Sequence, residues 1–234
     1  MRRPVIKLQR LCICLFVLLV TACGGSGGSG EDALPAFSTI LIAGDSISRY
    51  DQDPNAYAYA DYLLLPDTVL NQAVPGTRLV DQIATSFSAN LDLLPDADGV
   101  IIQGGTNDLI QWDGSTPDDA AQLVLMQAAI TAMSSEALSR DLQVLYVNIL
   151  PWGGTKAWSL EKQQFTDEYN AWLSSYAGQT GALYVDAYSL LQAQSGWDER
   201  IATVYGGPLH PNEAGAIALA AEVEAVIQAY RDSQ

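Results

Sequence analysis

Thr39-Ile40-Leu41-Ile42-Ala43-Gly44-Asp45-Ser46-Ile47-Ser48 opens the folding part of this 234-residue chain. Its first five residues are apolar or β-branched with no polar alternation. They read as a strand buried on both faces, the pattern of a parallel sheet. The strand then runs into Gly44-Asp45-Ser46-Ile47-Ser48. Its carboxyl end therefore delivers a serine to the sheet edge where α/β folds place their sites.

Four more runs of this kind follow: Thr68-Val69-Leu70-Asn71, Gly99-Val100-Ile101-Ile102-Gln103, Gln143-Val144-Leu145-Tyr146-Val147-Asn148 and Ala182-Leu183-Tyr184-Val185. Helical patterns fill the intervals, over Ala56–Leu64, Leu79–Asn90, Pro117–Ser139, Glu161–Tyr176 and Asn212–Tyr230. Pro117 stands where a first helical turn accepts proline. Strand and helix in alternation predict an α/β fold. It is a three-layer α/β/α sandwich around a doubly wound, parallel, five-stranded sheet, flavodoxin-like in outline. No internal repeat or second domain is evident.

The N-terminus reads as an address rather than as fold. Arg2, Arg3, Lys7 and Arg10 precede an apolar run from Leu11 to Val20. A membrane span needs roughly 20 apolar residues, so this run reads as a secretory signal. Its end, Val20-Thr21-Ala22-Cys23, resembles the lipobox of bacterial lipoproteins, which implies lipidation at Cys23. The expected division is a signal over residues 1–22, a lipidated cysteine and tether over 23–36, and one domain over 37–234. Gly24-Gly25-Ser26-Gly27-Gly28-Ser29-Gly30 is a flexible spacer holding the domain on the order of 15 Å from a membrane. The expected location is the bacterial cell envelope, anchored through Cys23. Cys12 and Cys14 leave with the signal, so no internal disulfide forms. The spacer also matches G-x-S-x-G and G-x-G-x-x-G, but neither match lies between a strand and a helix, as each motif requires.

Removing the four basic residues of the signal from the 11 in the chain leaves seven against 27 acidic, a net charge of −20. Such a surface repels phosphate backbones and argues against nucleic-acid partners. It also argues against docking on anionic lipid, and its simplest effect is solubility outside the cell. A monomer is expected.

The strand ends carry the chemistry. Ser46 follows the first strand, and alone would pass for a helix N-cap. Gly76 lies in Asn71-Gln72-Ala73-Val74-Pro75-Gly76-Thr77 after the second, where a glycine lets a backbone N–H approach a ligand. Asn107 lies in Gly104-Gly105-Thr106-Asn107-Asp108 after the third. The chain's one histidine, His210, sits in Gly206-Gly207-Pro208-Leu209-His210-Pro211-Asn212-Glu213, before the last helix. It is the only side chain here whose unperturbed pKa lets it trade protons near neutrality.

Ser46, Gly76, Asn107 and His210, in that order, resemble the blocks of the SGNH hydrolases, also called the GDSL esterase/lipase family. The resemblance covers about Thr39 to Tyr230. It implies a carboxylic ester hydrolase in which Ser46 attacks and His210 is the general base. The chemistry fits the residues independently. A serine hydroxyl needs a base to become a nucleophile. The oxyanion needs preorganised donors, which the N–H groups of Ser46 and Gly76 and the Asn107 amide would supply. Asp45 and Asp108 are read as shaping loops. No metal or cofactor is required.

One departure is plain. The family's last block usually reads Asp-x-x-His, and here Gly207 stands three before His210. Three readings stay open. A Ser–His dyad would have a backbone carbonyl near Gly206 or Gly207 orienting the imidazole. A replacement acid would be Asp186 first, then Asp198 or Glu199, with Glu213 better suited to a helix N-terminus. The third reading is a membrane-tethered domain on an esterase scaffold that only binds. An acyltransferase is a nearer rival.

Asp51, Asp53 and Asn55 have the opening spacing of a calcium loop. Ala56 and Tyr62 occupy the positions that need glycine and glutamate, so the motif fails. Tyr50, Tyr57, Tyr59, Trp112, Trp152 and Trp158 follow strand ends. Trp112 and Trp152 are the candidates for a substrate wall. No long apolar lid is evident, which favours short acyl groups or an acylated glycan as substrate.

Overall fold

Alternation along each central strand sets up two cores. The structure, a computed structural model, describes residues 36–50, 57–112, 119–153, 155–192, 201–204 and 207–234. β1 (Thr39–Ala43), β2 (Thr68–Asn71), β3 (Gly99–Gln103), β4 (Gln143–Val147) and β5 (Leu183–Val185) form one sheet in the order β2-β1-β3-β4-β5. Every pairing in it is parallel. The strand order reverses at β1, so the crevice at its carboxyl end is the topological switch point of the sheet.

Leu41, Ala43, Val100, Ile102, Val144 and Tyr146 point to one face. They pack under α1 (Ala84–Asp92), α3 (Asp119–Ser139) and α4 (Leu160–Thr180). Ile40, Ile42, Ile101, Leu145 and Val147 point to the other face, under α5 (Ala187–Gln192) and α6 (Glu213–Asp232). A side chain every second residue on each face is what a pleated strand dictates. Continuous apolar runs are thereby buried on both sides, giving the expected three layers.

The helices are set by their ends. The Ser159 hydroxyl accepts from Lys162 N at 3.2 Å to start α4, and Gly181 stops it at φ +72°. Asn212 starts α6 by accepting from Gly215 N at 3.1 Å. Among the described residues no helix is long and apolar enough to cross a membrane.

Several elements differ from expectation. The Ala56–Leu64 pattern yields only a 3-10 turn over Tyr59–Tyr62. Leu79–Ile83 is a π-helical turn that continues into α1. A short α2 (Thr106–Ile110) was not expected, nor was a two-stranded antiparallel ribbon of β6 (Ile201–Val204) and β7 (Gly207–Pro211). His210 therefore lies in a strand, paired with Ala202, while Asn212 caps the last helix at its expected start. The signal, Cys23, residues 24–35 of the tether and the failed calcium loop at 51–55 lie outside the described residues.

Candidate active site

The turn after β1 is built around one carboxylate. Asp45 O accepts from Ser48 N and Arg49 N, both at 3.1 Å. Its side chain turns back, so that Oδ1 accepts from Ile47 N at 3.0 Å. Ser46 sits inside this closed Asx turn, the geometry that short acidic residues favour. Gln103, the last residue of β3, fixes the turn from below: its Oε1 accepts from Asp45 N at 3.3 Å and from the Ser48 hydroxyl at 3.0 Å.

β7 brings the imidazole to this turn. His210 Nε2 lies 2.7 Å from Ser46 Oγ. Ser46 is 8 % exposed and His210 2 %. Tyr57 N donates to Pro211 O at 3.3 Å, tying the strand to the loop that follows the serine. The Tyr50 ring lies against the imidazole, with centroids 4.3 Å apart and planes tilted by 37°.

The second and third strand ends close the site. Val74 N donates to Gly44 O at 3.0 Å, and Thr77 Oγ1 donates to Val74 O at 2.7 Å. These bonds shape a turn in which Gly76 takes φ +79°. A side chain would be strained there, because that region of backbone space crowds a Cβ. Gln111 Nε2 donates to Gly76 O at 2.8 Å, turning the carbonyl away. Among the described residues, no acceptor takes the N–H of Ser46 or of Gly76.

Asn107 links all three loops: its Nδ2 donates to Thr77 O at 3.0 Å and to Asp45 Oδ2 at 3.3 Å. The next residue, Asp108, accepts from Leu79 N at 2.7 Å and from Val80 N at 3.1 Å. It thus caps the helical turn that follows the Gly76 loop. Burial pushes both Asp45 and Asp108 up to about 6, against the backbone donors that favour their ionised forms. At neutral pH both carry mostly negative charge, held by N–H groups. Both shape loops, as expected.

Two expectations need correction. Asp186 is not the acid behind His210. Its Oδ1 accepts from Asn148 Nδ2 at 2.9 Å and from Ser189 N at 3.0 Å. It caps α5 at the carboxyl end of β5, the sheet edge far from β1. Trp152 is not a substrate wall. It is 0 % exposed, and its Nε1 donates to Thr166 Oγ1 at 3.0 Å, as α4 covers it. Trp112 is half-buried and meets Phe165 edge-on at 5.8 Å, with Lys162 Nζ 6.0 Å from its ring. Glu213 lies in the first turn of α6, the place its charge favours. Asp198, Glu199 and Gly206 lie outside the described residues.

Sequence reasoning missed the roles of Gln103 and of Tyr50 against His210. Gln103 carries a signal in retrospect, as a lone polar residue ending an apolar strand. Tyr50 was one of several aromatic residues after strand ends, with nothing to set it apart.

Comparison with known proteins bears on the fold and the family. The structure is similar to a lipolytic protein of the G-D-S-L family from Desulfitobacterium hafniense, at 22 % identity and TM-score 0.64 over 81 % of this chain and 99 % of that one. It is similar to a GDSL-like lipase from Parabacteroides merdae, at 16 % identity and TM-score 0.65 over 83 % and 97 %. It is also similar to a variant of an acetyl xylan esterase from Geobacillus stearothermophilus, at 17 % identity and TM-score 0.64 over 83 % and 96 %. No curated protein matches the sequence. The model of the GDSL-like lipase/acylhydrolase family matches residues 42–217, from the middle of β1 into α6. With three-quarters of its length matched and a serine and a histidine in contact at the switch point of its sheet, this chain belongs to the GDSL-like lipase/acylhydrolase family and is an ester hydrolase.

Proposed function

We propose that the enzyme cleaves short acyl groups, or acyl groups carried on carbohydrate, through an acyl-Ser46 intermediate with His210 as general base. The observation that carries this reading is the 2.7 Å contact between His210 Nε2 and Ser46 Oγ. At that separation Nε2 takes the hydroxyl proton as Oγ attacks the ester carbonyl carbon. The carbonyl oxygen becomes an oxyanion facing the N–H groups of Ser46 and Gly76. The Asn107 amide adds a third donor by giving up its longer bond to Asp45. The C–O bond of the ester then breaks, and the departing alkoxide takes the proton from His210. Water repeats the sequence on the acyl-serine, with His210 again taking a proton, and the carboxylic acid leaves. Gly207 in the place of the family's usual aspartate supports a Ser–His dyad.

Small acyl groups are supported by the lack of any long apolar run in the sequence that would make a lid. A carbohydrate carrier is supported by the acetyl xylan esterase neighbour and by Trp112 beyond α2, whose ring suits stacking on a sugar. The basic start, the apolar run and Cys23 support a lipid-anchored place in the bacterial cell envelope.

Two measurements test this reading. A fluorophosphonate probe is expected to label Ser46 in the wild type. p-Nitrophenyl acetate and butyrate, with acetylated xylo-oligosaccharides, are expected to turn over faster than dodecanoate. Absence of both Ser46 labelling and ester turnover would favour a domain that only binds. Diversion of product to an added sugar acceptor would establish a transferase.

Asn107→Ala is expected to lower kcat by about 10²–10³-fold with KM little changed, because a preorganised donor acts chiefly on the developing oxyanion. Steady-state kinetics on p-nitrophenyl acetate read this directly. A rise in KM at unchanged kcat would assign Asn107 to substrate binding.

A further inference from the structure

The reaction creates a positive charge on a ring that water scarcely reaches. His210 is 2 % exposed, and each proton it takes from Ser46 makes it an imidazolium. An unsolvated cation is costly unless something nearby stabilises it. α6 starts three residues further on, and a helix N-terminus disfavours a nearby cation. The Tyr50 ring is the aromatic surface the structure sets against the imidazole, at 4.3 Å between centroids. An aromatic face within about 6 Å attracts a cation through its quadrupole, most strongly where water is excluded.

The sequence places Tyr50 there by the same turn that presents the nucleophile. Asp45 O accepts from Ser48 N and Arg49 N, and Asn71 Nδ2 donates to Ser48 O at 2.9 Å. The chain leaving that turn reaches Tyr50 one residue later. Nucleophile and ring are therefore held by one set of bonds, and β7 lowers the imidazole between them.

We propose that Tyr50 is a positioning residue for the reaction, its ring face holding the His210 imidazole toward Ser46 and stabilising the imidazolium formed when Nε2 takes the serine proton. This rests on the reading of His210 as general base. It gives that base support from a neutral π face, which neither the sequence nor the family match assigns.

The test keeps shape and changes only the ring's charge distribution. Position 50 is made Tyr50→Phe, then replaced by 3,5-difluorophenylalanine and by pentafluorophenylalanine, in the full chain extracted in mild detergent. Tyr50→Phe is expected to stay within about twofold of wild type. The pentafluoro ring, whose quadrupole is inverted, is expected to lower kcat by about 3- to 30-fold with KM unchanged. The difluoro ring falls between them, and decides the matter should the pentafluoro protein fail to fold.

His210 is the only histidine in the chain, so its imidazole gives a single resolvable NMR signal. The midpoint of that signal's titration is expected to move to lower pH along the fluorine series. Only residue 50 changes along the series, so every other ionisable group, Asp45, Arg49, Tyr57 and Glu213 among them, is the same in each member and its contribution cancels.

Equal kcat values and equal midpoints from phenylalanine to pentafluorophenylalanine would overturn the proposal. So would a large loss already at Tyr50→Phe, which would assign the effect to the phenol oxygen. Failure of the underlying reading is distinguishable, because it would show as turnover within tenfold of wild type in His210→Gln.

Discussion

Ser46→Ala is expected to lower kcat for p-nitrophenyl acetate by on the order of 10⁴–10⁶-fold, with KM within a few-fold of wild type. The size follows from what is lost. Without Oγ no acyl-enzyme forms, and hydrolysis must proceed by direct attack of water on an ester held only by the oxyanion donors. Those donors remain. The Ser46 and Gly76 N–H groups are backbone, and Asn107 is held by Thr77 O at 3.0 Å. Residual catalysis above the uncatalysed rate is therefore expected, because binding and oxyanion stabilisation persist when a nucleophile is removed. The fold should tolerate the change. The Ser46 hydroxyl bonds to His210, while the turn itself is held by Asp45 and Gln103. A thermal transition close to wild type, loss of fluorophosphonate labelling and loss of turnover together identify the nucleophile. Turnover equal to wild type would remove Ser46 from that role, and Ser48 would not replace it, since its hydroxyl is buried and donates to Gln103.

The sheet was legible because its strands carry their environment in their composition. β1 after Thr39 and β3 before Gln103 carry no polar residue, and only burial on both sides accommodates that. Ser46 and Asn107 were legible because each closely follows such a strand, and Gly76 because it follows β2, a half-exposed edge strand paired parallel to β1; parallel pairing brings all three to one edge. The ribbon that carries His210 was not legible in that way. β6 is four residues long, β7 contains two prolines, and the ribbon lies outside the main sheet. Proline depresses any strand reading, and β7 buries the successive residues Leu209 and His210, so no alternation marks it in the sequence. Trp152 and Asp186 show a different limit. Both follow strand ends, as Ser46 does, but β4 and β5 lie on the far side of β3 from β1. Position after a strand says which edge of the sheet a residue joins. It does not say how far along that edge the residue sits, nor that α4 closes over Trp152.

His210→Gln is expected to lower kcat by on the order of 10⁴-fold or more, comparable to Ser46→Ala. Glutamine can still meet Ser46 Oγ with a hydrogen bond, so the substitution removes proton acceptance while retaining polarity. The magnitude is large because the sequence contains no second imidazole to take over. Asp45 and Asp108 offer no substitute, since their carboxylates are already engaged by backbone N–H groups. The variant's pH profile should carry the sign of that loss. With no base near neutrality, the residual rate should follow hydroxide and rise about tenfold per pH unit, where the wild type levels off. His210→Ala gives an independent check, because it opens a space beside Ser46 and the Tyr50 ring into which free imidazole fits. Added imidazole is expected to restore part of the turnover and of the fluorophosphonate labelling in His210→Ala, and none in the double variant with Ser46→Ala. Activity within tenfold of wild type in His210→Gln would place the base elsewhere. The 2.7 Å contact would then be a buried structural hydrogen bond rather than the proton path of the reaction.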